Sequence, residues 1–330
     1  MELMLGIDLG TTHLKVAAFD AAGRQHSLEM SRTDTIFQGE GKAIYKPSVI
    51  WESAAALLKK TVSRLPSNYK ISSIATASMG EAGLFLDHNF EPLTPIMAWF
   101  DVRGKEVMAE WYELIDAEKC RKITGLSSHN HICSLFKMLW EIKQNPVVLE
   151  KAAKWLCLPD FINFRLTGEF ATDYSIASRT MLFDIEKKRW SEEILDLAGL
   201  PAGLLPKALP SGTIIGEVTK KAAAETGLPE GIPVCLGGHD HICGSFASNV
   251  ICQGRVLDSM GTSESLVVVL EGLQQDGLAD LAAYDVGCHV LPDLHYALGA
   301  IHAGGSSLEW FFRQVAKTKD SYESLVDEAG

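Results

Sequence analysis

Alternating apolar and polar positions at the start of the chain predict three consecutive strands, over residues 3–7, 14–19 and 25–30. Short turns containing Gly10 and Gly23 separate them, so neighbouring strands should pair antiparallel. Later apolar runs predict further strands over 71–78, 83–86, 233–237, 254–260 and 266–270. Helical spacing predicts helices over 53–65, 106–116, 135–145, 153–166, 191–197 and 218–226. This order predicts an α/β protein whose mixed sheet carries helices on both faces.

The intervening segments predict loops and a division into two domains. Residues 31–50 are polar and rich in glycine, and residues 201–216 form a Pro/Gly-rich passage expected on the surface. An interdomain hinge is expected near 245–255. The predicted domains therefore cover residues 1–247 and 248–330.

The turn between the first two strands carries the first candidate chemistry. Gly10 lets another group approach the backbone closely. Thr11, Thr12 and His13 offer N–H groups and hydroxyls to an anion, and Lys15 adds a cation in the same stretch. Asp8 suits a hydrated Mg²⁺ ion, which prefers one or two carboxylates together with phosphate oxygens. The turn thus predicts a nucleotide-phosphate clip, the alternative being an ordinary polar hairpin turn.

Two common nucleotide-binding motifs are absent from the sequence. No G-x-x-x-x-G-K-[ST] occurs, and no G-x-G-x-x-G opens a helix. A Walker A loop and a dinucleotide-binding fingerprint are both excluded.

The net charge, cysteine content and apolar runs of the sequence limit which binding partners and which cellular compartment are expected. The formal net charge of −12 argues against nucleic acid or an anionic membrane as the main partner. Seven cysteines without a C-x-x-C pair indicate reduced thiols, and no apolar run reaches the length of a membrane span. We expect a cytoplasmic protein. The sequence leaves its oligomeric state open and is compatible with a homodimer.

Four segments in order resemble the carbohydrate kinases of the FGGY type. They are Gly6-Ile7-Asp8-Leu9-Gly10-Thr11-Thr12, Arg165-Leu166-Thr167-Gly168-Glu169-Phe170-Ala171-Thr172-Asp173, Gly237-Gly238-His239-Asp240 and Met260-Gly261-Thr262-Ser263. The resemblance implies two domains of the actin-like ATPase (ribonuclease H-like) fold that close over a cleft. It also implies ATP, Mg²⁺ and a small sugar as ligands.

Asp240 is the candidate catalytic base. Phosphoryl transfer needs an oriented hydroxyl, and an aspartate can accept its proton. The resemblance implies the same role, and the two preceding glycines are expected to leave space for the sugar. The alternative is that Asp240 caps a helix starting near Ile242. A metal site from His239, Asp240, His241 and Cys243 is disfavoured because adjacent residues cannot easily face one ion, whereas His241 is a candidate sugar contact.

The resemblance places further sugar contacts on two loops. One carries Met79, Gly80 and Glu81, and the other carries Asp101 and Arg103 within a W-x-D-x-R segment. A structural ion pair is the alternative for Asp101 and Arg103. Met79-Gly80-Glu81 matches neither the Q-M-H-G of typical xylulokinases nor the R-E of glycerol kinases, so the sugar remains unspecified.

Two glycine-containing turns in the last third are further candidate phosphate sites. Gly261 and Thr262 would bind phosphate from the second domain. Gly304 and Gly305 precede an apolar run, as at an anion-binding helix N-terminus, the alternative being tight packing of a helix start.

The chain is shorter than FGGY kinases, whose adenosine loop would lie beyond residue 330. We therefore expect a second domain that is incomplete. The function predicted is ATP-dependent phosphorylation of a ketose, sugar acid or polyol. The alternatives are a truncated sugar-binding or regulatory module without kinase activity, and an actin- or Hsp70-like ATPase outside sugar metabolism.

Overall fold

A computed structural model of the chain describes residues 1–66, 68–260, 264–273, 281, 283–301 and 304–316. Its centre is a six-stranded mixed sheet. In spatial order the strands are β14 (Ile214–Glu217), β15 (Pro233–His239), β6 (Lys70–Ser78), β1 (Glu2–Leu9), β2 (His13–Phe19) and β3 (Gln25–Arg32). β1, β6 and β15 run parallel, and the outer strands pair antiparallel.

Alternation along β1 decides which side of this sheet is buried. Leu3, Leu5, Ile7 and Leu9 belong to the main core, which α1 (Pro47–Arg64), α6 (Leu158–Thr167) and α9 (Lys220–Thr226) help to form. Side chains alternate between faces along a strand, so Asp8 points to the other face. There α10 (Asp240–Ala247) contacts β6 and β15.

A second sheet, with five strands, forms from residues between 36 and 157. Five short strands pair in the order β4 (Ile36–Phe37), β5 (Ala43–Tyr45), β8 (Ile96–Met97), β7 (Gly83–Asp87) and β9 (Ala152–Cys157). The helices of this region are α2 (Lys105–Leu114), α3 (Ala117–Thr124), α4 (Ser134–Gln144), α5 (Val147–Lys151) and α8 (Glu192–Ala198). They pack on a core that contains Phe85, Trp111, Phe136 and Trp155.

Short elements connect these layers to the last part of the chain. They are α7 (Tyr174–Ala177), the parallel pair β10 (Ala171–Asp173) and β13 (Lys207–Leu209), the pair β11 (Phe183–Asp184) and β12 (Arg189–Trp190), and two 3₁₀ turns, Val102–Gly104 and Ala202–Leu204. A four-stranded antiparallel sheet follows in the order β16 (Val256–Met260), β17 (Glu264–Glu271), β19 (Leu294–Ile301) and β18 (Asp285–Cys288). The described chain ends with α11 (Gly304–Phe311) and the π-helical turn Phe312–Ala316.

Most predicted elements are present, and the α/β class with a mixed sheet is confirmed. The helix predicted over 153–166 is wrong in its first half, since β9 occupies Ala152–Cys157 and α6 begins at Leu158. Trp155, Leu156 and Cys157 are all buried, and a strand buried on both faces shows no alternation to separate it from a helix. Pro159, which favours the first turn of a helix, marks the true start.

Two predicted loops also contain strands. β13 lies within residues 201–216, and β14 begins there and ends at Glu217. β4 and β5 lie within residues 31–50. These strands have two to four residues, too few for a visible period. Within the described part of the chain, no helix combines the length and apolar character needed to cross a membrane.

Candidate active site

Two adjoining cavities lie at the carboxyl ends of the parallel strands. The larger, of about 460 Å³, is bordered by residues that include Met79, Gly80, Glu81, Trp99, Arg179 and Asp285. The smaller, of about 330 Å³, is bordered by Asp8, Gly10, Thr12, His13, Lys15, Gly244, Leu257 and Ser259. Thr11, Asp240 and His241 border both cavities. The structure therefore brings the predicted clip, the predicted base and one predicted sugar loop together.

The hairpin between β1 and β2 forms one wall of the smaller cavity. Gly10 N–H donates to the carbonyl of His13 at 3.1 Å, and a Cβ at Gly10 would lie 2.9 Å from that oxygen. The tight turn thus requires glycine at this position. Lys15 Nζ lies 3.0 Å from Asp8 Oδ2, and both side chains remain about 40% exposed. The clip accordingly offers one carboxylate, one ammonium and two threonines to the same space.

The clip is tied to the larger cavity by one aromatic residue. Trp99 Nε1 donates to Thr11 Oγ1 at 2.8 Å. Because Trp99 borders the larger cavity and Thr11 borders both, this bond fixes the position of the shared wall.

Asp240 stands where β15 ends and α10 begins. Its Oδ1 accepts the His241 N–H at 2.7 Å, and 29% of its side chain is exposed. Burial raises the pKa of Asp240; His241 opposes this, and the charges of Asp8 and Glu81 raise the pKa further. The carboxyl is therefore a stronger proton acceptor than an ordinary aspartate once it is ionised. The cap position of α10 is held by His239, so Asp240 is the first helical residue.

The backbone before Asp240 is held by the segment that begins at Ala171. His239 N–H donates to Ser175 Oγ at 2.8 Å, and Ser175 Oγ donates to Asp173 Oδ2 at 2.7 Å. Burial raises the pKa of Asp173, which also caps α7 and accepts from Ser211. The A-T-D segment thus supports the backbone next to Asp240 through one serine.

The two glycines before Asp240 serve packing, and the expectation that they leave space for a sugar is wrong. A Cβ at Gly237 would collide with the carbonyl of Thr76 on β6, where β15 also shifts register. A Cβ at Gly238 would lie 2.7 Å from Ser175 Oγ. Both glycines let β15 lie close to protein atoms.

Glu81 forms an ion-pair network with two residues that sequence reasoning missed. Arg179 Nε and Nη2 lie 2.6 and 2.5 Å from Glu81 Oε1, and Arg179 Nη1 lies 3.2 Å from Asp285 Oδ2. Glu81 adopts φ +57° and is buried, as is Arg179. A Cβ at the adjacent Gly80 would lie 2.9 Å from the His239 ring. A charged residue in the mostly uncharged stretch after Asp173 was the available signal for Arg179.

Of the other residues predicted to contact sugar, Met79 borders the larger cavity, whereas Asp101 and Arg103 do not. Met79 is buried beside the larger cavity, with its sulfur 3.7 Å from Tyr45 Oη. Asp101 and Arg103 border neither cavity. They form a buried pair with 2.9 and 2.7 Å contacts, and Asp101 also accepts Ala43 N–H at 2.7 Å. Burial alone would raise the pKa of Asp101, but hydrogen bonds from Arg103 and Ala43 hold that pKa below its ordinary value. These contacts favour the structural alternative for this pair.

Lys137 on α4 supports the larger cavity from behind. Its ammonium donates to the carbonyls of Glu81 at 3.2 Å, Trp99 at 3.1 Å and Ile132. The side chain is fully buried, and burial lowers the pKa of Lys137 to about 8. One ammonium therefore joins three segments whose residues border the cavity.

The structure says little about the phosphate ligands predicted in the last third of the chain. Gly261 and Thr262 lie outside the described residues. Gly304 and Gly305 form the start of α11, as expected, and Gly304 borders neither of the two cavities. Within the described part of the chain, no three His, Cys, Asp or Glu side chains are grouped as a metal site.

Comparison with known proteins gives one family and a consistent fold. The family described as the FGGY family of carbohydrate kinases, N-terminal domain, matches residues 3–247. The chain is 29% identical to xylulose kinase of Bacillus subtilis (strain 168) over 99% of its length, and 29% identical to L-fuculokinase of Escherichia coli (strain K12) over 99%. It is 26% identical to gluconokinase of B. subtilis (strain 168) over 96%.

Solved structures extend the comparison. Xylulose kinase from Rhodospirillum rubrum superposes with a TM-score of 0.90 at 26% identity, covering 96% of this chain and 64% of that one. Glycerol kinase from Plasmodium falciparum with ADP gives a TM-score of 0.86 at 21% identity, covering 98% and 65%, and so shares the fold. The chain spans 64% of the B. subtilis xylulose kinase, 69% of the E. coli L-fuculokinase and 60% of the gluconokinase.

Proposed function

Because the chain belongs to the FGGY family of carbohydrate kinases, we propose that it contributes the sugar site and catalytic base for phosphorylating a small sugar with Mg-ATP. The larger cavity would hold the sugar, and the smaller would hold the nucleotide phosphates. The candidate acceptors are a ketose, a sugar acid or a polyol, and the names of relatives such as xylulose kinase, L-fuculokinase and gluconokinase include the first two classes.

The observation that supports this proposal is the position of Asp240 between the two cavities. A phosphoryl acceptor and the terminal phosphate must meet in line, and the proton of the attacking hydroxyl must leave at that point. Asp240 Oδ1 is engaged by the His241 N–H. Oδ2 would therefore take the hydroxyl proton while the sugar oxygen bonds to phosphorus and ADP leaves.

The smaller cavity has the chemistry that a magnesium–phosphate group needs. Asp8 and Asp240 both border it, and Mg²⁺ typically uses one or two carboxylates in addition to phosphate oxygens. Lys15 and the hydroxyls of Thr11 and Thr12 would contact phosphate oxygens there. When bound, Mg²⁺ would neutralise charge on the transferred phosphate. Gly261 and Thr262 remain predicted phosphate ligands.

The same proposal assigns a role to each of the two predicted domains. Residues 1–247 would form the sugar-binding domain with the first clip. Residues 248–330 would begin the second domain, whose strands β18 and β19 close one side of the larger cavity through Asp285, Leu298 and Gly299.

Sugar-dependent release of ADP tests the proposal directly. Pentuloses, hexuloses, polyols and aldonates are incubated with Mg-ATP, and ADP is measured by a coupled assay for the full-length protein and for its Asp240→Asn variant. We expect release that needs sugar and wild-type Asp240. Stabilisation by a sugar but never by Mg-ATP would identify a binding module instead, and ATP hydrolysis without sugar would indicate an ATPase.

A further inference from the structure

Arg179 is the one lysine or arginine among the described residues that border the larger cavity. Its guanidinium is buried, with 4% of the side chain exposed. Two of its nitrogens contact Glu81 Oε1, and the third contacts Asp285 Oδ2. The guanidinium is therefore already paired with protein carboxylates.

Asp285 is held in place by hydrogen bonds from the segment between α3 and α4. Its Oδ1 accepts Ser127 N–H at 3.0 Å, and its Oδ2 accepts Asn130 Nδ2–H at 2.5 Å in addition to Arg179. These bonds join β18 to the loop before α4. Arg179 could turn towards a ligand anion only by leaving two fixed carboxylates.

The ammonium group of Lys137 is also fully engaged with protein atoms. Lys137 donates to three backbone carbonyls, those of Glu81, Trp99 and Ile132, and does not border the cavity. Glu81, Asp240 and Asp285 do border it, so three carboxylates line the space beside one paired guanidinium. Four histidines also border it, namely His129, His131, His239 and His241, and burial holds the pKa of His239 well below its ordinary value.

We propose that this cavity selects a neutral polyol or ketose and rejects a sugar acid, with the Glu81–Arg179–Asp285 network as the specificity determinant. The inference rests on the proposed function, which assigns the sugar to this cavity. Each hydroxyl of a neutral sugar can donate to a carboxylate. An aldonate carboxylate has no proton to donate. It meets like charges, and among the described lining residues no lysine or arginine is free of protein carboxylates, an arrangement that disfavours its binding.

Matched ligands that differ at one carbon test this selection. Glucitol and gluconate share five hydroxylated carbons and differ in a terminal CH₂OH or carboxylate. Xylitol and xylonate share four and differ in the same way. Calorimetry with this chain, at constant ionic strength, compares the affinity within each pair. We expect the neutral member to bind at least about tenfold more tightly. Equal or tighter binding of the acids, or binding of neither member, overturns the proposal.

A charge-removing variant tests the network itself. Asp285→Asn keeps the shape of the side chain and removes one carboxylate, so it should shift the gluconate-to-glucitol affinity ratio about threefold or more towards the acid. The matched control is Asp293→Asn on the turn before β19, where the side chain is 93% exposed. Glu81→Gln gives a second test if Asp285→Asn does not fold. An unchanged ratio in a folded variant, or an equal shift in the control, contradicts the role of the network.

The ADP assay separates this inference from the proposed function. Acid binding together with sugar-dependent ADP release would leave the kinase proposal standing and refute the selection. Selective binding of polyols without ADP release by any sugar would support the selection and refute the kinase proposal.

Discussion

Replacing Lys137 by methionine should make the chain less stable and change how its stability depends on pH. The substitution removes an ammonium that joins the carbonyls of Glu81, Trp99 and Ile132 inside the protein. Methionine has similar length and no hydrogen-bond donor. Three buried acceptors are then left without this partner.

Two opposing free energies set the expected size of the effect. A buried acceptor left without a donor costs about 2 kcal/mol. The Glu81 carbonyl keeps the Ser134 hydroxyl at 3.1 Å, so the carbonyls of Trp99 and Ile132 together cost about 4 kcal/mol. The depression of the lysine pKa from 10.5 to about 8 corresponds to about 3 kcal/mol of strain in the charged form, which methionine relieves. The lost hydrogen bonds outweigh this relief, and we expect a net loss of about 1 kcal/mol at pH 7.

The pH dependence follows from linkage. The folded pKa of Lys137 is lower than its unfolded value, so the unfolded chain binds more protons between about pH 8 and 10.5. This group therefore adds stability as pH rises through that window. From pH 7 to 9 the added stability is about 1.3 kcal/mol, and Lys137→Met should lack it. The difference in stability between wild type and variant should widen by that amount.

Urea denaturation at pH 7, 8 and 9 measures these quantities. Lys143→Met is the matched control, because Lys143 lies on the same helix and is 46% exposed beside Glu110. Its unfolding free energy should stay within about 0.5 kcal/mol of wild type at each pH. If Lys137→Met showed the same pH profile as wild type, or if Lys143→Met lost equal stability, the reasoning would be refuted.

Three further outcomes follow from the site. Asp240→Asn should lower the rate of ADP release at least about 100-fold and leave sugar affinity within about tenfold, because a general base acts mainly in the transition state; retention of a tenth of the rate would exclude Asp240 as the base. The raised pKa of Asp240 should place the acid limb of the pH–rate profile above the ordinary aspartate value, since the protonated carboxyl cannot accept a proton; an acid limb at or below that value contradicts this. Asp101→Asn should destabilise folding by about 3 kcal/mol, seen in denaturation, with the sugar KM unchanged, because it breaks a buried pair; a raised KM in a stable variant would restore Asp101 as a sugar contact.

The strand–turn–strand of the predicted clip and the position of Asp240 at a strand end could be predicted from sequence because each depends on local order. A strand, a glycine and two threonines are consecutive residues, and Asp240 follows a predicted strand directly. Parallel strands end at one edge of a sheet, so β1 and β15 bring these two motifs together once their pairing with β6 is known.

The network in the larger cavity could not be predicted in this way. Glu81, Arg179 and Asp285 are separated by about a hundred residues at each step, with sequence separations of 98 and 106. No periodicity records which distant charges will pair. Asp101 and Arg103 illustrate the converse, since the resemblance implied a sugar contact there, whereas their bonds connect them to each other and to Ala43.

The wall shared by the two cavities has a thermodynamic consequence. Thr11, Asp240 and His241 face both spaces, so a molecule in one space changes the water and electric field around the same three side chains that meet a molecule in the other. Reciprocity then requires that any factor by which the first ligand alters the affinity of the second also applies in reverse. The order in which the two ligands arrive would leave the free energy of the ternary complex unchanged.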